Sequence, residues 1–311
     1  MRHRHFERLL AACDGFDAIP TAVAHPCDAA AMEGVAAAVA RKLIAPVLVG
    51  PMARMRAAAA AAGFSLEGIE LVDAPHSHAS AARAVELVRQ GRAEALMKGS
   101  LHTDELMAEV VHRDTGLRTA RRTSHCFVMD VPDSEDLLLI SDAAVNIAPT
   151  LEEKVDIVQN AIDLAHVLGI ATPLVAILSA METVNPRIPS TVEAAALCKM
   201  ADRGQITGAA IDGPLALDNA ISLAAARIKE IDSPVAGRAN VLIVPDLEAG
   251  NMLAKSLSFM ANADAAGIVL GARVPVVLTS RADPAISRLV SCAIAALLAQ
   301  ARREGRSRIL P

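Results

Sequence analysis

The sequence predicts an α/β protein in which a largely parallel sheet is covered by helices on both faces. Three observations carry this expectation. Short branched-apolar runs alternate with Ala-rich amphipathic stretches along the chain, and parallel strands need crossover helices between them. Of 311 residues, 53% are apolar and 21% charged, with a net charge of −5. That balance supports a sizeable core and excludes disorder. Ten candidate strands with about as many helices exceed one doubly wound unit and predict two domains.

In the first half, strands are expected at residues 46–50, 69–72, 95–98, 126–130 and 137–140. Helices fall between them at 28–43, 52–62, 79–90 and 104–112. The second half gives strands at 174–178, 206–212, 241–244, 268–270 and 274–279. Its helices span 151–168, 191–201, 215–229, 250–261 and 284–303. Asn146, Pro149 and the acidic pair Glu152-Glu153 are helix-start signals, and they place a domain break near residues 142–150. The longest uncharged run, residues 164–181, is interrupted by His166, Gly169 and Pro173. It reads as a helix end, a turn and a strand, so no membrane span is expected. The opening Met-Arg-His-Arg-His-Phe-Glu lacks the apolar heart of a signal peptide, and a cytoplasmic protein is expected.

Several function classes drop out. With no Trp, no Tyr, five Phe and a mildly acidic balance, neither a base-stacking platform nor a phosphate-backbone binder is expected. Cys13, Cys27, Cys126, Cys198 and Cys292 are scattered without a C-x-x-C pair and read as reduced core thiols. P-loop, dinucleotide, zinc-protease and nucleophile-elbow motifs are missing. His3/His5 and His76/His78 are pairs without a third ligand nearby, so no metal is expected.

Polar clusters remain where strands end, which is where α/β sheets bind ligands. The first is Met97-Lys98-Gly99-Ser100-Leu101-His102-Thr103-Asp104, a strand end entering a helix N-terminus that favours anions. Its bland reading is a turn capped by Thr103. The second, Pro245-Asp246-Leu247-Glu248-Ala249-Gly250-Asn251, offers a close backbone approach and a polar head, as a plain βα turn also would. In Thr279-Ser280-Arg281-Ala282-Asp283-Pro284, Asp283 is expected to cap a helix with Pro284 at its first position. Capping leaves the Ser-Arg pair unexplained. Arg113, Arg118, Arg121 and Arg122 could dock a phosphorylated ligand or form a solvated loop.

Taken in order, these stretches resemble the phosphate acetyltransferase/phosphate butyryltransferase family. The matching segments are Leu96-Met97-Lys98-Gly99, Arg121-Arg122-Thr123-Ser124-His125, Ala210-Ile211-Asp212-Gly213-Pro214-Leu215, the Pro245–Asn251 cluster and Leu278-Thr279-Ser280-Arg281. Their wording is nearer the butyryl-type or hydratase-associated branch. The resemblance implies two three-layer α/β/α domains with a cleft between them, as in isocitrate and isopropylmalate dehydrogenases. Residues 1–142 and 266–311 would form one domain and 143–265 the other. It implies a cytoplasmic homodimer that interconverts acyl-CoA plus phosphate with acyl phosphate plus CoA. Coenzyme A is a substrate there, with no cofactor or metal, no nucleic acid and no membrane. Ser280 and Arg281 match the pair that binds phosphate and stabilises the intermediate. The acetyl branch carries an Asp base about two helical turns later; here Ile286-Ser287-Arg288 stands instead, and Asp283 is the nearest substitute. Lys98, Gly99, Arg122, Asp212, Asp246 and Asn251 are the implied substrate contacts. The rival reading is a regulatory acyl-CoA-binding module of the same fold without turnover.

Overall fold

The computed structural model describes residues 4–279 and 283–305. In chain order the elements begin α1 (Arg4–Ala12), β1 (Ile19–Ala24), α2 (Ala29–Ala40), β2 (Ile44–Gly50), α3 (Met52–Ala61) and β3 (Glu70–Asp73). Next come α4 (Ser77–Arg89), β4 (Ala95–Lys98), α5 (Thr103–Val110), β5 (Ser124–Asp130), β6 (Leu138–Ser141) and α6 (Leu151–Val167). They continue with β7 (Leu174–Leu178), α7 (Pro189–Asp202), β8 (Ala210–Leu215), α8 (Leu217–Ile221) and α9 (Leu223–Ile228). The last are β9 (Val241–Ile243), α10 (Leu247–Met260), β10 (Asp264–Leu270), β11 (Val276–Val277) and α11 (Ala285–Arg303).

The chain divides into two compact units. One comprises Phe6–Thr123 and Ala266–Pro311, the other Met1–His5 and Ser124–Ala265. The first has strand order β3-β2-β1-β4-β11-β10. Its strands run parallel up to β11, and β10 pairs antiparallel to β11. Helix α4 packs on β1 and β2, while α11 packs on α2, β11 and β4. By length and composition α11 could cross a membrane, but 67% of its most apolar window is buried. Val290, Cys292, Ala293 and Ile294 lie in the interior, which makes it a core helix.

The second unit has the order β5-β6-β9-β7-β8. An antiparallel β5–β6 pair leads into three parallel pairings. Met129, Ile140, Ala176, Leu215 and Leu242 are among its buried core side chains. The first junction therefore falls at Thr123, before β5, and not at residue 142. The reason is pairing: β6 runs parallel beside β9, and β5 is hydrogen-bonded to β6. The His5 N–H donates to Asp130 Oδ2 at 3.0 Å, which ties the N-terminal residues to the same unit.

Sequence reading missed α1 and β1. Pro20 argues locally against a strand, yet β1 sits between β2 and β4 with Ala22, Val23 and Ala24 fully buried. The single helix expected at 215–229 is two, because Ser222 is extended and caps α9 through Ala225 N–H. The strand expected at 206–212 starts only at Ala210, and the one at 274–279 is confined to Val276–Val277.

Candidate functional site

In the first unit, β1, β4 and β11 run parallel, so their carboxyl ends lie at one edge of the sheet. Register pairs Ala24 with Lys98 and Val277 with Met97. Carried two residues on, it brings Thr279 beside Gly99. Thr279, Met97, Lys98, Gly99 and Ser100 line one pocket with Asp28, Ala31 and Arg288.

Lys98 is 6% exposed. Its Nζ donates to the carbonyls of Gly99 at 3.2 Å and Leu101 at 3.1 Å, so the turn itself holds the ammonium in place. Gly99 has to be glycine: a Cβ there would lie 2.5 Å from Ala24 O and 2.6 Å from His25 O. That approach lets Gly99 N–H donate to Ala24 O, while Ser100 N–H and Oγ both donate to His25 O, at 2.9, 2.9 and 2.8 Å. His25 supports the arrangement in the left-handed region, at φ 57°. Burial, then the Arg54 charge, lowers its pKa. Its ring contacts Ser80 Oγ and Arg54 Nη1 at 3.0 and 3.3 Å.

The helix after this turn is capped differently from expectation. His102 takes the N-cap position rather than Thr103, and its N–H donates to Glu105 Oε2 at 3.0 Å. A similar correction applies to α11. Pro284, not Asp283, is its N-cap, with the Pro284 carbonyl accepting the Ser287 and Arg288 N–H groups. Asp283 lies one residue outside, where its carbonyl accepts from Arg288 Nη1 at 2.7 Å. Ser280 and Arg281 lie outside the described residues. Thr279 lines the pocket, and the Asp283 carbonyl is bound to Arg288, which also lines it. Arg122 is exposed just before the unit's end.

The second unit holds the other implied contacts. Asp246 is the N-cap of α10, with Oδ1 accepting from Ala249 N–H at 2.8 Å. One turn on, Asn251 Nδ2 donates to Ala143 O at 3.3 Å. Between them Gly250 lets α10 approach closely: a Cβ would meet Val244 Cγ2 at 2.8 Å and Ala143 Cβ at 2.9 Å. Asp212 lies within β8 and accepts from Gly213 N–H at 2.8 Å. Nearby, burial and then Asp212 push the Cys198 thiol up to about 12, which makes it a poor nucleophile. His125 is fully buried, edge-on to Phe127 at 4.5 Å, and burial lowers its pKa to about 4 despite the Asp142 charge.

The structure thus gathers Lys98, Gly99 and Thr279 into one pocket of the first unit. Asp246 caps α10 and Asn251 lies a turn further along it, while Asp212 stands apart from them on β8. Sequence reasoning passed over Arg288, noticing only that it stands where a carboxylate was sought. A cation set among apolar residues on one helix face was the available signal.

Comparison with known proteins decides the family. The model for "Phosphate acetyl/butaryl transferase" matches residues 77–296. The chain belongs to this family. It is 62% identical over 298 residues to a phosphate acetyltransferase of Rhizobium meliloti, covering 96% of this chain and 94% of the relative. It is 48% identical over 233 residues to a probable phosphate butyryltransferase of Bacillus subtilis, covering 74% and 78%. Among solved structures it resembles a branched-chain phosphotransacylase from Enterococcus faecalis, with TM-score 0.77, 32% identity and coverage of 89% and 98%. A 4-hydroxythreonine-4-phosphate dehydrogenase from Klebsiella pneumoniae shares the fold, with TM-score 0.53 at 14% identity and coverage of 91% and 100%. The dehydrogenase-like α/β architecture and the family expected from sequence both stand.

Proposed function

We infer that this family member is a phosphate acyltransferase that converts a short-chain acyl-CoA and phosphate into acyl phosphate and CoA, with acetyl as its preferred acyl group. The observation that carries the reading is 62% identity to a phosphate acetyltransferase across nearly the whole of both chains. Hydrogen phosphate attacks the thioester carbonyl, the C–O bond forms, and the C–S bond breaks. The phosphate proton ends on the CoA sulfur, so atoms and charges balance without a redox partner. The residues the family pattern assigns to this are Ser280 and Arg281, for phosphate and the developing oxyanion. A planar guanidinium suits a phosphoryl group better than an ammonium does. Asp283 is our choice of proton acceptor in the reverse direction. Its half-buried position and its carbonyl contact with Arg288, a residue that lines the pocket, support this. No metal is required by these steps.

We further propose that the protein acts as a homodimer in the cytoplasm. Exposed Met252, Phe259 and Met260 on α10 give a dimer an apolar face. Five free cysteines suit a reducing compartment. Light scattering on a sizing column tests the dimer. CoA release from acetyl-, propionyl- and butyryl-CoA, each with and without phosphate after EDTA treatment, tests acyl preference. Acetyl-CoA should give the highest kcat/KM. A butyryl-CoA preference of tenfold or more would reassign the acyl pocket.

A further inference from the structure

We propose that Arg288, with Lys98, forms a phosphoryl-binding subsite in the first unit at the mouths of β4 and β11. The proposal rests on the acyltransferase reading and adds a residue and a ligand group to it. Arg288 lies on the first turn of α11 and is 8% exposed. It lines the pocket with Asp28, Lys98, Ser100 and Thr279. One guanidinium N–H is engaged, through Nη1 to the Asp283 carbonyl at 2.7 Å. Its Nε is buried and has no hydrogen-bond partner. A buried charged donor left in that state is unfavourable until an acceptor arrives.

The guanidinium is also held in position. A Cβ on Gly34 of α2 would stand 3.0 Å from Arg288 Cδ and 3.3 Å from Nε, so the stem is packed against the helix backbone. Charge favours an anion. Lys98 and Arg288 against Asp28 leave the lining at 2 − 1 = +1. The Asp28 carboxylate is engaged as N-cap of α2, accepting from Ala31 N–H at 2.8 Å. The pocket wall therefore includes the start of a 12-residue helix, whose dipole adds to the positive field. Fixed cations and a helix N-terminus around a small pocket suit a tetrahedral phosphoryl group. Such a group reaches this enzyme from two sources, inorganic phosphate and the 3′-phosphate of CoA.

Two readouts on the full chain test the subsite. The first is melting temperature in inorganic phosphate against sodium chloride at equal ionic strength. The second is steady-state kinetics with acetyl-CoA and with 3′-dephospho-acetyl-CoA. Phosphate should raise the wild-type melting temperature. Arg288→Gln should abolish the rise, and Arg288→Lys should retain only part of it. In kinetics, Arg288→Gln should raise the phosphate KM about tenfold or more while leaving the acetyl-CoA KM within about twofold. A raised acetyl-CoA KM, with the preference over the 3′-dephospho form lost, would support the subsite and identify its occupant as the CoA phosphate. Gly34→Ala displaces the same side chain without removing it, and Ala favours the helix. It should raise the same KM about threefold with a fall in melting temperature of no more than a few degrees. A wild type with no acyl transfer, but with a phosphate-induced rise that Arg288→Gln abolishes, would sink the acyltransferase reading and leave the subsite standing. Unchanged KM values and an unchanged phosphate rise in both Arg288 variants would overturn the subsite and leave Arg288 a strut.

Discussion

Two strand mouths in this chain carry the same signature, a polar cluster between an apolar strand and a helix, and the fold uses them differently. At the end of β4, Gly99 and Ser100 anchor on the β1 backbone, and buried Lys98 faces a pocket shared with Arg288. At the end of β9, Asp246 caps α10, Asn251 bonds to Ala143 O, and Gly250 makes room for the helix. The first mouth keeps a buried guanidinium N–H without a partner. The polar heads of the second have structural partners of their own. A polar cluster at a strand end is therefore a weak sign of a site until its hydrogen bonds are traced.

The contrast can be broken by substitution. The largest effect is expected at Arg281. Arg281→Lys keeps the charge but loses the fork, and turnover at saturating substrates should fall on the order of 10²–10³-fold. Near-normal turnover would remove Arg281 from the chemistry. Next is Gly99→Ala, where the new Cβ meets backbone on two sides. Overpacking of that kind costs about 3 kcal/mol, or roughly 6–12 °C in melting temperature for a unit of this size. Gly250→Ala, whose Cβ meets side-chain atoms at 2.8 and 2.9 Å and backbone only at 3.0 Å, should cost less. Equal losses at the two glycines would erase the distinction between the mouths.

The second unit also predicts an acid response. His125 is buried, and its folded pKa, about 4, lies below the ordinary value near 6.5. The folded state therefore favours the neutral ring. Its contribution is fully present above about pH 6.5 and is lost as pH falls toward 4. Melting temperature should fall between pH 7 and pH 5, and His125→Leu should flatten that part of the profile. An unchanged slope in the variant would place the acid sensitivity elsewhere. The smallest effect belongs to Asp246→Ala, a lost cap worth about 1 kcal/mol and read as a few degrees of melting. Asp246→Asn should retain most of it, because Asn caps as well as Asp does. A full loss in the Asn variant would mean that the charge, and not the cap, matters there.

Alternation of apolar runs was enough to place β4 and β7 to the residue and most helices to within a few. It failed where tertiary context overrides local preference. β1 contains Pro20 and still takes the middle of a parallel sheet. The unit boundary was set too late because helix-start signals near Pro149 mark α6, whereas β6 had already joined β9. Site residues divided along the same line. Lys98 and Gly99 were legible because a charge and a glycine at a strand end have few local explanations. Arg288 was not, since its meaning comes from Gly34 and Thr279, distant in sequence and adjacent in space.

Synthesis of the thioester from acetyl phosphate and CoA, followed in metal-depleted buffer with purified protein, is the most direct test of the account. We predict thioester formation that needs both substrates, persists in EDTA, and is inhibited by inorganic phosphate. Absence of thioester formation by a folded protein would contradict the acyltransferase reading.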